Sequence, residues 1–378
     1  MSQDIPLYIH VPFCRRKCRY CSFVSYENRE AAIPAYLAIL KKELTQRVSG
    51  QHIQTVYFGG GTPSLLPINQ VENIIRRINT IADIDMDAEI SFEANPGTLD
   101  KTYLSKLRKL GINRLSLGVQ SMDDGELRFL GRIHNVTEAQ EAFKFARDSG
   151  FNNINLDLIY GLPGQKLSCW KNTLSKSIEL RPEHISLYAL TLEKDSPMQH
   201  GIDEGIIPAI DDDLSAEEYE MAEDMLSASG YCQYEISNWS RPGLECKHNL
   251  FYWHNLPYIG VGTASHSCID GHRMANTNDL DTYLDKFPGK NHFLSDFDEK
   301  ISPELQLAET VILGLRLNKG ISVKEINNRL GVKLQSIYGQ QLKEMADYGL
   351  LETTVDNIKL TRTGRLLGNE VFWRFLPA

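Results

Sequence analysis

Apolar and polar positions fall into regular blocks along the first two-thirds of the chain. Runs at residues 7–11, 55–58, 89–93, 114–119, 153–159 and 184–190 are short and rich in Ile, Leu, Val, Tyr and Phe. That is the pattern of strands buried on both faces, as in a parallel sheet. Between them, apolar residues recur at helical spacing over 31–48, 68–81, 99–110, 137–149 and 167–180. Gly111 and Gly150 follow two of these segments, at the position where a left-handed residue commonly ends a helix. Thr137, Glu138, Ala139 and Gln140 read as a capping box that opens the fifth helix. Strands alternating with helices in this way predict a parallel α/β architecture. Periodicity alone leaves a doubly wound sheet and a barrel both open.

The pattern then changes. A helix is expected over 216–229 and an aromatic strand over 231–236, followed by a loop rich in Trp, His, Asn and Gly from 238 to 272. From about residue 302 helical spacing returns over 305–317, 323–330 and 334–348, with Gly331 closing the second helix. Strands at 350–354 and 357–361 turn around Asp356-Asn357. Helices followed by a hairpin predict a winged-helix-like α+β domain. Its Lys and Arg are balanced by acids, so it reads as a packing or docking domain.

Composition narrows the function classes. The 378 residues are 42% hydrophobic and 24% charged, ordinary values for a globular chain. A formal charge of −9 supplies no footprint for nucleic acid. No apolar run approaches the ~20 residues that span a bilayer. Residues 1–6 lack the basic and apolar regions of a signal peptide. Of seven cysteines three are clustered, while Cys169, Cys232, Cys246 and Cys268 are scattered, which fits reduced thiols in the cytoplasm. Cys169 reads as helix packing, and Asp211-Asp212-Asp213 as charge at a helix N-terminus.

The clustered thiols are Cys14, Cys18 and Cys21, at C-x3-C-x2-C spacing just after the first strand. Thiolates select zinc or iron–sulfur clusters. Arg15, Arg16, Lys17 and Arg19 lie among them, and cationic neighbours lower thiol pKa values. A closed zinc site takes four protein ligands, and the residues after Cys21 (Ser22 to Tyr26) offer none. The spacing therefore admits two readings. One is zinc with a distant fourth ligand such as His10, Cys232, Cys246 or His248. The other is a [4Fe–4S] cluster with one iron left open. Polar and glycine residues also interrupt the ends of the strands, where parallel α/β folds gather their chemistry. These are Gly59-Gly60-Gly61-Thr62-Pro63, Glu93-Ala94-Asn95-Pro96-Gly97, Gly118-Val119-Gln120-Ser121 with Arg132 beyond it, and Asp157.

The triplet with Tyr20 before its third cysteine resembles the signature of the radical S-adenosylmethionine (SAM) superfamily. The string Tyr8-Ile9-His10-Val11-Pro12-Phe13-Cys14 is similar to its oxygen-independent coproporphyrinogen III oxidase-like branch. The resemblance implies an open (β/α)6 partial barrel. It also implies a [4Fe–4S] cluster on Cys14, Cys18 and Cys21 that binds SAM at its open iron and cleaves it to methionine and a 5′-deoxyadenosyl radical. It assigns SAM contacts to Tyr8, Tyr20, Gly60, Gly61, Thr62, Glu93, Gln120, Arg132 and Asp157. Some residues at these positions contact a second SAM in the family. Three divisions are expected: the barrel at 1–200, an extension at 201–300 and the winged-helix-like domain at 301–378.

A second concentration of ligands follows the barrel. Cys246-Lys247-His248-Asn249-Leu250-Phe251-Tyr252-Trp253 is followed closely by His266. Histidine is the usual axial ligand of haem iron, and aromatics suit a planar macrocycle. Residues 248–253 resemble the HNxxYW motif of haem chaperones in the same branch. This implies a protein that binds haem and passes it to an acceptor, with the cluster linked to dimerisation and to transfer. Such an acceptor, a respiratory haem protein for example, can lie at the membrane. His248 is the first candidate haem contact, with His266 and Cys246 behind it. The alternatives are a coproporphyrinogen III dehydrogenase and a radical SAM enzyme that opens the haem ring. The dehydrogenases carry a further cysteine where this chain has Phe23, and a longer N-terminal extension.

Overall fold

Six parallel strands follow one another across the sheet in chain order: β1 (Asp4–Val11), β2 (His52–Gly60), β3 (Asp83–Ala94), β4 (Arg114–Gln120), β5 (Ile154–Tyr160) and β6 (His184–Ala189). The computed structural model describes residues 4–194, 196–286 and 295–377. The crossover helices are α1 (Ile33–Val48), α2 (Ile68–Ile81), α3 (Lys101–Lys109), α4 (Val136–Asp148) and α5 (Leu167–Glu179), and α6 (Asp212–Ala228) follows β6. Gly111 and Gly150 take left-handed φ values after α3 and α4, as expected. The capping box of α4 lies two positions before the expected one. Asn135 is the N-cap, and its side chain accepts from the Glu138 amide while the Glu138 carboxylate accepts from the Asn135 amide.

The sheet does not stop at β6. Strands β7 (Cys232–Glu235) and β8 (Asn238–Ser240) continue it antiparallel, with β8 on β6 and β7 outermost. At the opposite edge β9 (Ile259–Val261) pairs parallel with β1. Between them lies α7 (Lys247–Trp253), which carries the histidine–aromatic motif. The segment expected as one loop over 238–272 thus holds two strands of the main sheet and a helix. Elements of three to seven residues are too short for period 2 or 3.6 to emerge.

Beyond them, α8 (Pro303–Leu315), β10 (Ile321–Ser322), α9 (Val323–Leu330), α10 (Leu334–Asp347), β11 (Leu351–Thr353) and β12 (Asn357–Leu360) form the C-terminal α+β unit. Its three strands are antiparallel in the order β10-β12-β11. It has its own apolar cluster, including Val311, Leu315, Leu334 and Phe375. Backbone hydrogen bonds Ile236 N to Arg316 O (3.1 Å) and Asn318 N to Tyr234 O (3.0 Å) join it to the β7 region. Arg365 adds an ion pair to Glu223 at 2.7 Å. Among the described residues no helix is long and apolar enough to cross a membrane.

Candidate functional site

A cavity of about 360 Å³ opens at the carboxyl ends of β1 to β6. All three clustered cysteines line it, together with Tyr8, Tyr20, Gly60, Gly61, Thr62, Glu93, Gln120, Arg132 and Asp157. Residues far apart in sequence therefore share one space. The cysteine loop leaves β1 and is held from several sides. Tyr26 N donates to Pro12 O (2.8 Å), Cys21 N to Cys18 O (3.1 Å) and Arg19 N to Leu130 O (3.2 Å). Thr62 Oγ1 lies 3.4 Å from Cys14 Sγ, and Arg132 donates to Cys18 Sγ at 3.3 Å and to Gly118 O at 2.7 Å. Burial pushes the Cys21 thiol up, while Lys17 works in the other direction.

The wall formed by β2 needs glycine. Gly60 has φ +111°, and a Cβ there would sit 2.6 Å from the His10 ring. One on Gly61 would sit 2.7 Å from Phe13 O. Glu93 faces this wall, accepting from Tyr57 OH (2.8 Å) and from Gly60 N (3.2 Å). Burial and the nearby Asp157 push its carboxyl up to about 7. Asp157 is raised by burial too, although it accepts from Ser116 Oγ (2.9 Å) and Asn155 Nδ2 (2.8 Å). Gln120, in the left-handed region at φ +71°, sits at a break in the β4–β5 register, a conformation that non-glycine residues hold where the surroundings impose it.

These residues fit the two groups implied by the sequence. Three thiols on one loop line the cavity, and among the described residues no other cysteine or histidine does. Of the distant zinc ligands considered from sequence, His10 bonds Val24 O and Tyr8, Cys246 bonds Glu89 and His248 bonds Thr55 and Tyr252, Cys232 is exposed on β7, and none of the four lines the cavity. Among the described residues no three His, Cys, Asp or Glu side chains are grouped to hold a single metal ion. Two buried carboxylates whose charge is disfavoured suit a cationic ligand, and the Arg132 fork suits a carboxylate. An amino acid bearing a sulfonium has both features.

The cavity also contains Tyr57, Ser116 and Tyr188, which were not singled out from the sequence. A signal was present. His184, Ser186 and Tyr188 alternate with Ile185 and Leu187, as Asn155 and Asp157 do with Leu156 and Leu158. The inner face of the sheet is thus a polar row at period 2, inside runs that read as uniformly apolar.

His248 is 1% exposed, and its Nδ1 shares a hydrogen bond with Thr55 Oγ1 (2.7 Å) and its Nε2 one with Tyr252 OH (2.9 Å). Burial and the charge of Arg114 hold it neutral, with a pKa of about 3. Both nitrogens are committed to hydrogen bonds in this arrangement. His248 lies under the SAM-side wall, its ring 5.1 Å from that of Tyr57. Cys246 is fully buried against Glu89 and pushed up to about 12 by burial, whereas His266 is exposed.

The radical SAM superfamily profile matches residues 8–176, and the HemN C-terminal domain profile matches 301–367. The heme chaperone HemW of Bacillus subtilis is 36% identical over 373 residues, covering 98% of each chain. The chain belongs to the HemW family. Its Escherichia coli member is 38% identical over 280 residues, 72% of this chain and 73% of that one. The mitochondrial radical S-adenosyl methionine domain-containing protein 1 of Bos taurus is 33% identical, covering 93% and 82%. In three dimensions, coproporphyrinogen III oxidase (HemN) of Escherichia coli superposes with a TM-score of 0.87 at 24% identity, covering 99% of this chain and 90% of that one. The fold is therefore the radical SAM fold with a C-terminal domain, shared by the HemW family and by HemN.

Proposed function

We propose that this chain is a haem chaperone: it binds haem and passes it to an acceptor protein, using a radical SAM site in support. The observation that carries the reading is the likeness to the heme chaperone HemW along nearly the whole of both chains. The fold alone does not separate a chaperone from an oxidase, because HemN shares it.

Cys14, Cys18 and Cys21 are the proposed ligands of a [4Fe–4S] cluster. When bound, the cluster supplies an open iron for the amino and carboxylate groups of SAM and one electron for its cleavage. The backbone of Gly60, Gly61 and Thr62 and the Glu93 carboxylate receive the amino group, and Gln120 and Arg132 orient carboxylate and ribose. Asp157 faces the remaining positive charge. Tyr8 and Tyr20 close the wall around the ligand. Phe23, 65% exposed at the cavity mouth, stands where the dehydrogenases carry a further cysteine. The proposal extends to work in the cytoplasm, delivery at the membrane face and a homodimer linked to the cluster.

The test uses anaerobically reconstituted full-length protein with SAM and reductant. The chaperone reading predicts stable haem binding without turnover and transfer to an apo-acceptor. Conversion of coproporphyrinogen III to protoporphyrinogen IX would identify the dehydrogenase instead.

A further inference from the structure

Glu93 takes one hydrogen bond on each oxygen from β2. Tyr57 OH donates to Oε1 at 2.8 Å, and Gly60 N donates to Oε2 at 3.2 Å. A carboxylate with one bond per oxygen keeps lone pairs for a ligand. The sheet register explains how Tyr57 reaches it. Tyr8 on β1, Tyr57 on β2 and Ser91 on β3 are neighbours across the strands. Glu93, two residues beyond Ser91, therefore shares their face. Among the described residues Tyr57 is the one side chain that hydrogen-bonds Glu93.

The meeting of these groups depends on Gly59. A Cβ there would sit 2.9 Å from Tyr8 Cε2, 3.0 Å from Tyr57 Cε1 and 3.2 Å from Glu93 Oε1. The Tyr57 ring is held as well, stacked on Tyr8 with centroids 6.1 Å apart and lying 5.1 Å from the His248 ring. With the ring fixed, the hydroxyl oxygen stays beside Glu93. Burial and Glu93 push that hydroxyl far above neutral, so it remains a donor.

The other charges facing Glu93 come from the strands around it. Burial and Asp157 on β5 oppose its ionisation, while Arg114 on β4 favours it but also faces Cys246 and Glu89. Tyr8 on β1 and Tyr188 on β6 are kept protonated, chiefly by burial. Hydrogen bonds to a carboxylate favour its charged form. Of the two that Glu93 receives, the Gly60 amide belongs to the backbone, so the Tyr57 hydroxyl is the one a side chain supplies.

We propose that Tyr57 is a positioning residue of the SAM site: through Oε1 it holds the Glu93 carboxylate aimed at the cavity and charged for the amino group of SAM, and Gly59 is the opening that lets them meet. Tyr57 acts through Glu93 and needs no contact with SAM. The proposal rests on the reading of this cavity as a SAM site beside an iron–sulfur cluster.

The test is SAM binding to the full-length, cluster-reconstituted protein, titrated between about pH 6 and 9. Wild type, Tyr57→Phe, Gly59→Ala, Glu93→Gln and the double variant of Tyr57→Phe with Glu93→Gln are compared, with cluster absorbance as the check on folding. Tyr57→Phe keeps the ring and loses the hydroxyl, so Glu93 should protonate about one pH unit higher. Its SAM affinity should fall about fivefold near pH 7 and return to within about twofold of wild type near pH 9. In the Glu93→Gln background the same change should cost less than about twofold. Gly59→Ala keeps the hydroxyl but crowds its ring, and should weaken SAM about tenfold near neutral pH. A Tyr57→Phe loss of equal size at every pH, or one that persists in the Glu93→Gln background, would show a merely structural role and overturn the proposal. So would wild-type affinity in Tyr57→Phe or in Gly59→Ala. Each of these results leaves the SAM reading intact, whereas failure of the wild type to bind SAM would overturn that reading as well.

Discussion

Glu93 is raised to about 7 because burial and the neighbouring Asp157 both disfavour its charge. Its folded pKa lies above that of an unfolded carboxylate, so the folded state holds more protons between the two values. The stability this contributes is complete below the unfolded pKa and is lost as pH rises through about 7. A bound cation offsets that loss at neutral pH, so binding and stability pull in opposite directions at this position. In Glu93→Gln, the cluster-free protein should lose much of its decline in melting temperature between about pH 5 and 8, while SAM binding weakens by at least about tenfold. Thermal denaturation across that range checks it, and a decline as steep as the wild type's would contradict the assignment.

At the level of elements, α7 is fixed at its start by one carboxylate. Glu89 accepts from the Lys247 and Cys246 sides and from His248 N at 3.1 Å, and the fully buried Arg114 lies beside it, its charge favoured by Cys246 and Glu89. Glu89→Ala would leave the Lys247 and His248 amides without their acceptor and remove one of the carboxylates around the buried Arg114, a loss of about 3 kcal/mol. Chemical denaturation should show this fall in stability. Much of the element order was legible from sequence: α2, α5 and the six barrel strands declare themselves through long apolar repeats. The segment after residue 238 did not, because β8, α7 and β9 are held by neighbours rather than by their own periodicity. Within the cavity, Cys14, Gly60 and Glu93 were legible because each breaks an apolar pattern near a strand end, and Asp157 because it breaks one inside β5. Tyr57 and Tyr188 were missed because an aromatic in an apolar run looks like core. For His248 the sequence shows a ligand type but not that both ring nitrogens are hydrogen-bonded, to Thr55 and Tyr252.

Over the whole molecule, one sheet of nine strands carries both ends of the account. Its carboxyl edge gathers the cysteine loop and the proposed SAM contacts, and α7 beside β9 leads from there to the C-terminal unit. That unit docks through Arg316 on Glu235 and Arg365 on Glu223, and the two parts of the chain have separate apolar clusters. All of this presupposes that the three sulfurs at the mouth of the sheet hold an iron–sulfur cluster with one iron free. Metal analysis joined to electron paramagnetic resonance of the reduced, anaerobically reconstituted protein, with and without SAM, tests that most directly. The account predicts about four irons per chain and a cluster signal that changes when SAM is added. A single zinc in place of iron, or a cluster signal indifferent to SAM, would contradict it.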